Sequence, residues 1–229
     1  MEENPIEKGK TFWNDAYKTT KGFKINKEEF TLLDEMKPIF DEFCEKCPSK
    51  IIDFGCGEGS LLMLISNNYK IKELIGIEDG KEIVRVANEF INLNDFKNIK
   101  VLDNGIETLK LQPTNSFDGI IISNVLDVIP LTNSNSIMKE VSRVIKETGY
   151  FIFKTNPSMD HDSLITRGFT NFEENLYSLN GVLRFRLLTN EEWIKYIESY
   201  GFKLINQALV PYQAKEVFDN LYLFQKTVK

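Results

Sequence analysis

The stretch Ile51-Ile52-Asp53-Phe54-Gly55-Cys56-Gly57-Glu58-Gly59-Ser60 decides the fold. An apolar run of strand type closes on an acid and passes at once into three alternating glycines, which let the backbone turn sharply and approach a ligand closely. A lone glycine set of this kind is weak. Its weight comes from three later runs: Gly76-Ile77-Glu78, Val101-Leu102-Asp103, and Phe117-Asp118-Gly119-Ile120-Ile121-Ile122-Ser123-Asn124. Each is an apolar strand ending on a polar or acidic residue, and an open α/β sheet gathers its ligand contacts at such ends.

Working outward, the period alternates between strand and helix, as a parallel sheet covered on both faces requires. Strands are expected at 50–54, 73–78, 99–103, 117–123 and 150–154. Helices are expected at 11–18, at 27–44, after the glycine turn, at 81–93 and at 136–146. The 81–93 segment sets Ile83, Val86, Ala87, Phe90 and Ile91 on one helical face. Residues 155–188 lose this regularity and read as an irregular insert, too long for a plain connection and of the kind that forms lids. Thr189 then starts a helix that Gly201 stops, and two closing strands, 202–210 and 220–226, form an antiparallel pair at the sheet edge.

A chain of 229 residues suits one domain, here 1–229, with 1–48 as a helical cap and 156–188 as a lid over the substrate. No apolar run is long enough to span a bilayer, and the first residues carry acids rather than a secretory core, so no membrane role and a cytoplasmic location are expected. A net charge of −6 argues against a broad nucleic-acid surface. Cys44 and Cys47 with Cys56 and His161 form one conceivable set of metal ligands, but the plainer reading puts the first two at a helix end and Cys56 in the turn, with no metal.

Together these residues resemble the class I S-adenosylmethionine-dependent methyltransferases, in their small-molecule, UbiE-like branch, from Phe12 to Lys226. The resemblance implies a Rossmann-like, doubly wound seven-stranded sheet, mostly parallel with an antiparallel last strand, and S-adenosyl-L-methionine as cofactor. It assigns the Asp53 to Gly59 run, with Gly55, Cys56 and Gly57, to the first motif, and Glu78 with Asp79 to the ribose hydroxyls. Asp103, Asn104, Gly105 and Ile106 fall at the adenine, and Ser123 with Asn124 where the fourth strand meets cofactor and acceptor. The chemistry agrees: a carboxylate accepts two ribose hydroxyls, and a buried acid such as Asp53 wants an ammonium or backbone N–H groups as partners.

The rival nicotinamide fingerprint wants Gly-x-Gly-x-x-Gly, whereas Gly59 comes one residue early. A noncatalytic module binding the same cofactor or a protein partner is the other alternative. Many small-molecule members carry a histidine after the fourth strand, where this chain has Asn124-Val125-Leu126-Asp127. His161, the single histidine, is a candidate base in the insert, against a plain solvated-loop reading; Tyr17 is a second candidate. Positioning can supply effective molarities of about 10⁵ to 10⁸ M, so methyl transfer to an oxygen or nitrogen of a small molecule does not demand a base. Substrate contacts are expected from Trp13 and Tyr17, an i, i+4 pair, and from Arg167, Arg184 and Arg186 as carboxylate or phosphate ligands, although surface charge is the commoner role for such arginines.

Overall fold

A computed structural model describes residues 4–157, 159–212 and 217–227. Five parallel strands, β1 (Lys50–Phe54), β2 (Glu73–Ile77), β3 (Ile99–Leu102), β4 (Phe117–Ser123) and β5 (Ile145–Thr155), join β9 (Phe202–Pro211) and β10 (Phe218–Lys226) in one seven-stranded sheet. Its order is β3-β2-β1-β4-β5-β10-β9, and β10 runs antiparallel to both neighbours. The parallel strands read as continuous apolar runs because helices cover both faces. Consecutive residues of β1 serve opposite sides. Ile51 packs with Phe40 and Phe43 of α2 (Lys37–Lys46), Leu62 of α3 (Ser60–Asn68) and Val86 of α4 (Lys81–Leu93). Ile52 packs in the other layer with Leu109 of α5 (Gly105–Lys110), Met138 of α6 (Leu131–Val144) and Trp193 of α8 (Asn190–Glu198).

The β5–β10 seam is an aromatic ladder. Phe153 stands opposite Tyr222 and Phe151 opposite Phe224, and Phe153 also meets the Trp193 ring at 5.1 Å. Cross-strand aromatic pairs of this kind each add about 0.2–1 kcal/mol. Asp118 holds the entrance to the sheet, its Oδ2 accepting from the Ser49 and Lys50 amides at 2.8 Å each.

Several boundaries differ from the sequence expectation, each for a local reason. Helix α1 (Pro5–Ala16) begins six residues before 11, because the Asn4 side chain accepts the Ile6 amide and Pro5 fits the first turn. A helix over 27–44 is not formed; α2 starts at Lys37, since Pro38 is tolerated only in a first turn and would collide with a preceding carbonyl deeper in. Strands β2 and β3 stop one residue earlier than expected, so Glu78 and Asp103 lie in the loops beyond them. Helix α6 spans Leu131–Val144 rather than 136–146, and β5 takes over at Ile145 through a register shift opposite β4.

The insert is more regular than expected. After α7 (His161–Thr166) comes a separate three-stranded antiparallel sheet of β6 (Thr170–Glu173), β7 (Leu176–Leu179) and β8 (Val182–Arg186). The β7–β8 hairpin turns on Asn180-Gly181, both at positive φ (53° and 74°), as a two-residue hairpin demands. This small sheet packs against α1 through β8, so the first helix and the insert meet across the ends of the large sheet. Among the described residues, no helix is long and apolar enough to cross a membrane.

Candidate functional site

The glycine turn leaves β1 with Gly55 at φ 76°, Gly57 at 54° and Gly59 at 81°, all in the left-handed region that favours glycine. The Gly55 amide donates to the Ile77 carbonyl at 2.8 Å, which draws the turn onto the end of β2. A Cβ added at Gly55 would lie 2.3 Å from Val125 Cγ2, whereas one at Gly57 would meet only open space. Gly55 is therefore required by packing, and Gly57 faces room for a ligand.

Glu78 organises this turn. Its Oε2 accepts the Gly57 amide at 3.1 Å, and its Oε1 accepts the Asp79 and Gly80 amides at 2.8 and 3.1 Å. Burial pushes its pKa up and those backbone donors pull against the rise. Asp53 is 2% exposed, and its Oδ1 has no hydrogen-bond partner. Burial, followed by the charge of Glu78, raises its pKa to about 7. A buried carboxylate with one unpartnered oxygen, just before an open glycine cradle, fits a ligand that brings an ammonium and vicinal hydroxyls.

The cradle opens into a cavity of about 660 Å³. Its wall includes Gly55, Gly57, Glu78, Asp79, Gly105 and Ile106. Apolar wall is added by Trp13 of α1, Val125, Val128 and Ile129 of the loop after β4, Ile137 of α6 and Leu183 of β8. Asn124 and Tyr17 line the cavity as well. The Tyr17 hydroxyl donates to Glu58 Oε2 at 2.6 Å, and Ser60 Oγ donates to Glu58 Oε1 at 2.8 Å, so the glycine turn also grips the cap. Burial, then the Glu58 carboxylate, pushes the Tyr17 pKa far up, which disfavours the phenolate that a Tyr17 base would need.

Asn124, at φ 56°, ends β4 in a conformation that asparagine tolerates. A partly buried polar chain holds it there. Its Oδ1 accepts from Lys154 Nζ at 2.8 Å, its Nδ2 donates to Asn156 Oδ1 at 2.7 Å, and Asn156 in turn donates its amide and side chain to Asp127 Oδ2. Lys154 is also ion-paired with Asp219 of β10.

Not every residue singled out in the sequence reaches the cavity wall. Trp13, Tyr17, Gly55, Gly57, Glu78, Asp79, Gly105, Ile106 and Asn124 converge there, whereas Asp53, buried in β1, is not part of the wall. Cys56 instead packs against β2, where a Cβ on Gly76 would come within 2.5 Å of its Sγ. Asp103 and Asn104 are exposed at the entry to α5, and Ser123 sits behind Asn124, donating to its Oδ1 at 3.2 Å. His161 lies on α7 with Nδ1 2.7 Å from the Tyr177 hydroxyl and is absent from the wall. Arg186 is buried, its Nη2 donating to the Ile129 carbonyl at 2.7 Å and to Glu173 at 3.2 Å. Arg167 closes α7, and Arg184 stacks on Phe12 and Trp13. Sequence reasoning missed the Val125 to Ile129 loop and Leu183, whose apolar character was visible but whose meeting point was not. Cys44, Cys47 and Cys56 are free and buried, with the Cys44 thiol pushed up to about 12 by burial.

A family model described as a methyltransferase domain matches residues 46–198. The chain is similar to the uncharacterized methyltransferase YcgJ of Bacillus subtilis, 29% identical over 45% of this chain and 39% of that protein. The chain spans 36% to 55% of the length of the first curated relatives it matches. Its fold is similar to that of a solved S-adenosylmethionine-dependent methyltransferase from Methanosarcina mazei, with TM-score 0.68 and 20% identity over 84% of this chain and 98% of that one. It is also similar to the Burkholderia thailandensis 1,6-didemethyltoxoflavin-N1-methyltransferase, solved with 1,6-didemethyltoxoflavin and S-adenosylhomocysteine bound, with TM-score 0.62 and 14% identity over 85% and 80% of the two chains. With its seven-stranded sheet, its acid and glycine turn at the end of β1 and this match over two thirds of its length, the chain belongs to the class I S-adenosylmethionine-dependent methyltransferase family.

Proposed function

We propose that the chain is an S-adenosylmethionine-dependent methyltransferase acting on an oxygen or nitrogen atom of a small molecule. The observation that carries this reading is one cavity whose wall combines the glycine cradle and Glu78 with the apolar side chains of Trp13, Val125 and Leu183. When bound, the cofactor supplies a methyl group activated by a sulfonium.

In this reading Asp53 answers the cofactor's ammonium, Glu78 its ribose hydroxyls, and Ile106 covers the adenine. Asp79 assists Glu78, while Asp103 and Asn104 border the adenine from the loop before α5. Ser123 and Asn124 hold the border between cofactor and acceptor. The apolar walls exclude water and hold the acceptor, so orientation and desolvation provide most of the rate, worth about 7–11 kcal/mol in well-aligned systems. Residues 1–48 act as cap and 156–188 as lid of a single domain spanning 1–229; within them, residues 1–3 and 158 lie outside the described residues. The Burkholderia thailandensis 1,6-didemethyltoxoflavin-N1-methyltransferase, solved with 1,6-didemethyltoxoflavin and S-adenosylhomocysteine bound, supports a small-molecule acceptor.

The test is transfer of a labelled methyl group from S-adenosylmethionine into a metabolite extract, followed by isolation of the labelled product. A noncatalytic cofactor-binding module is the second reading. It is favoured by the wall itself, which carries no histidine, and by Lys10 and Asp79, which pair with each other at 3.0 Å. Tight binding of S-adenosylhomocysteine without product from any extract would select it.

A further inference from the structure

The structure sorts the three arginines of the insert by what already neutralises them. Arg186 is spent on Ile129 and Glu173, and Arg167 sits at the exposed end of α7. Arg184 is different. Its guanidinium carbon lies 4.4 Å from the centre of the Phe12 ring and 4.7 Å from that of Trp13, and its buried Nε, like that of Arg186, has no hydrogen-bond partner. No carboxylate of the described residues pairs with it. The ammonium of Lys8 adjoins the β7–β8 turn on the same seam, where a Cβ on Gly181 would come within 2.6 Å of it, and it too lacks an ion pair among the described residues.

Resting on the methyltransferase reading above, we infer that Arg184, with Lys8, forms a subsite for a carboxylate or phosphate group of the acceptor. Position supports this: Arg184 and Lys8 are not themselves wall residues, but Trp13, on whose ring Arg184 stacks, and Leu183, its chain neighbour, both line the cavity. An acceptor seated there puts one substituent at the α1–β8 seam. Chemistry supports it as well. A partly desolvated guanidinium without an anion is costly, and its fork still offers parallel N–H donors to a planar or tetrahedral oxyanion. The two rings attract the cation without accepting its N–H groups in hydrogen bonds. In a chain of net charge −6, local cations are also what would admit an anionic acceptor and reject neutral analogues.

The experiment uses the full chain saturated with S-adenosylhomocysteine, whose own binding is measured first by calorimetry. Two tryptophans give two indole N–H resonances: Trp13 at the seam and Trp193 in the core, the second reporting that a variant remains folded. Benzoate and phenyl phosphate are titrated as probes, with phenol as the neutral control. Saturable shifts of the Trp13 resonance with either anion, and at least tenfold weaker binding in Arg184→Gln with partial recovery in Arg184→Lys, support the subsite; the two anions show whether carboxylate or phosphate is preferred. Equal response to phenol and benzoate, no response to either anion, or anion binding by Arg184→Gln at wild-type strength, overturns it. If S-adenosylhomocysteine binds while the anions fail, the subsite alone is lost; if the cofactor product itself fails to bind, the underlying reading falls with it.

Discussion

Asp53 should make cofactor affinity depend on pH. Its carboxyl is raised from the ordinary 3.8 to about 7, first by complete burial and then by the nearby Glu78. At about 1.36 kcal/mol for each pH unit, keeping it ionised in the free protein costs roughly 4 kcal/mol. The sign follows from the direction of the rise. Below about pH 4 the carboxyl is protonated folded or unfolded and costs nothing; between about 4 and 7 the folded form holds the extra proton, so stability falls as pH rises, and above 7 the full cost is present. A bound ammonium reverses the preference, because it stabilises the ionised carboxyl. Binding S-adenosylhomocysteine should therefore release a proton, and affinity should rise up to about tenfold per unit from roughly pH 5.5 to 7.

Calorimetry in two buffers of different ionisation enthalpy measures both the slope and the proton count. Glu78 is also raised by burial and adds to the slope, so the decisive quantity is the difference between wild type and Asp53→Asn. The asparagine variant should bind more weakly at about pH 7, and should release about half a proton fewer there and close to one fewer near pH 6. An identical pH slope and proton count in the two proteins would refute the role given to Asp53.

Further outcomes test other parts of the site. Glu78→Ala should weaken S-adenosylhomocysteine binding by about 1.5–3 kcal/mol for each charge-assisted hydrogen bond lost, read by calorimetry; an unchanged affinity removes Glu78 from the site. Gly55→Ala combines a left-handed φ with a Cβ 2.3 Å from Val125 Cγ2, so it should lower stability by at least about 1–2 kcal/mol in urea unfolding, and Val125→Ala in the same chain should recover part of the loss. Lys154→Met should cost about 3–5 kcal/mol, because Lys154 and Asp219 are both largely buried and the acid would be left without its cation; Asp219→Asn added to it should restore some of that stability. Hydrogen exchange should show new protection around Trp13 to Tyr17 and in β8 when S-adenosylhomocysteine binds, and protection confined to the strand ends would mean that the caps do not respond.

The central sheet was legible because each parallel strand is buried on both faces and so appears as an apolar run, and because the helices between them carry a single apolar face. Ile83, Val86, Ala87, Phe90 and Ile91 are all buried, as their spacing required. The insert was misread as irregular. Its strands are four or five residues long and one of them is largely exposed, too short for a periodic signal to accumulate. The local turn chemistry was nevertheless present, since Asn180-Gly181 specifies a two-residue hairpin by itself. The first two helices were misplaced by capping rather than by pattern: Asn4 with Pro5, and Pro38, set ends that hydrophobic periodicity cannot locate.

The polar wall of the cavity was legible for a different reason from the apolar wall. Glycines and acids recur at successive strand ends in the sequence, and although packing demands Gly55 and Glu78 holds the turn, Gly57 faces open space there. Val125, Val128, Ile129 and Leu183 are ordinary apolar residues whose sharing of one wall depends on how β8 folds back over the end of β4. That closure is built from polar contacts between distant segments: Arg186 reaches the Ile129 carbonyl, and Lys154 and Asn156 fix the Asn124 turn from β5 and the loop after it. Buried hydrogen-bonded groups tolerate little displacement, because a lost partner leaves a desolvated donor or acceptor behind. The apolar wall of the cavity therefore takes its surface from local sequence and its shape from a nonlocal polar framework. Substitutions at Arg186 or Asn156 should accordingly disturb acceptor selection more than cofactor affinity, as separate titrations of the two would reveal.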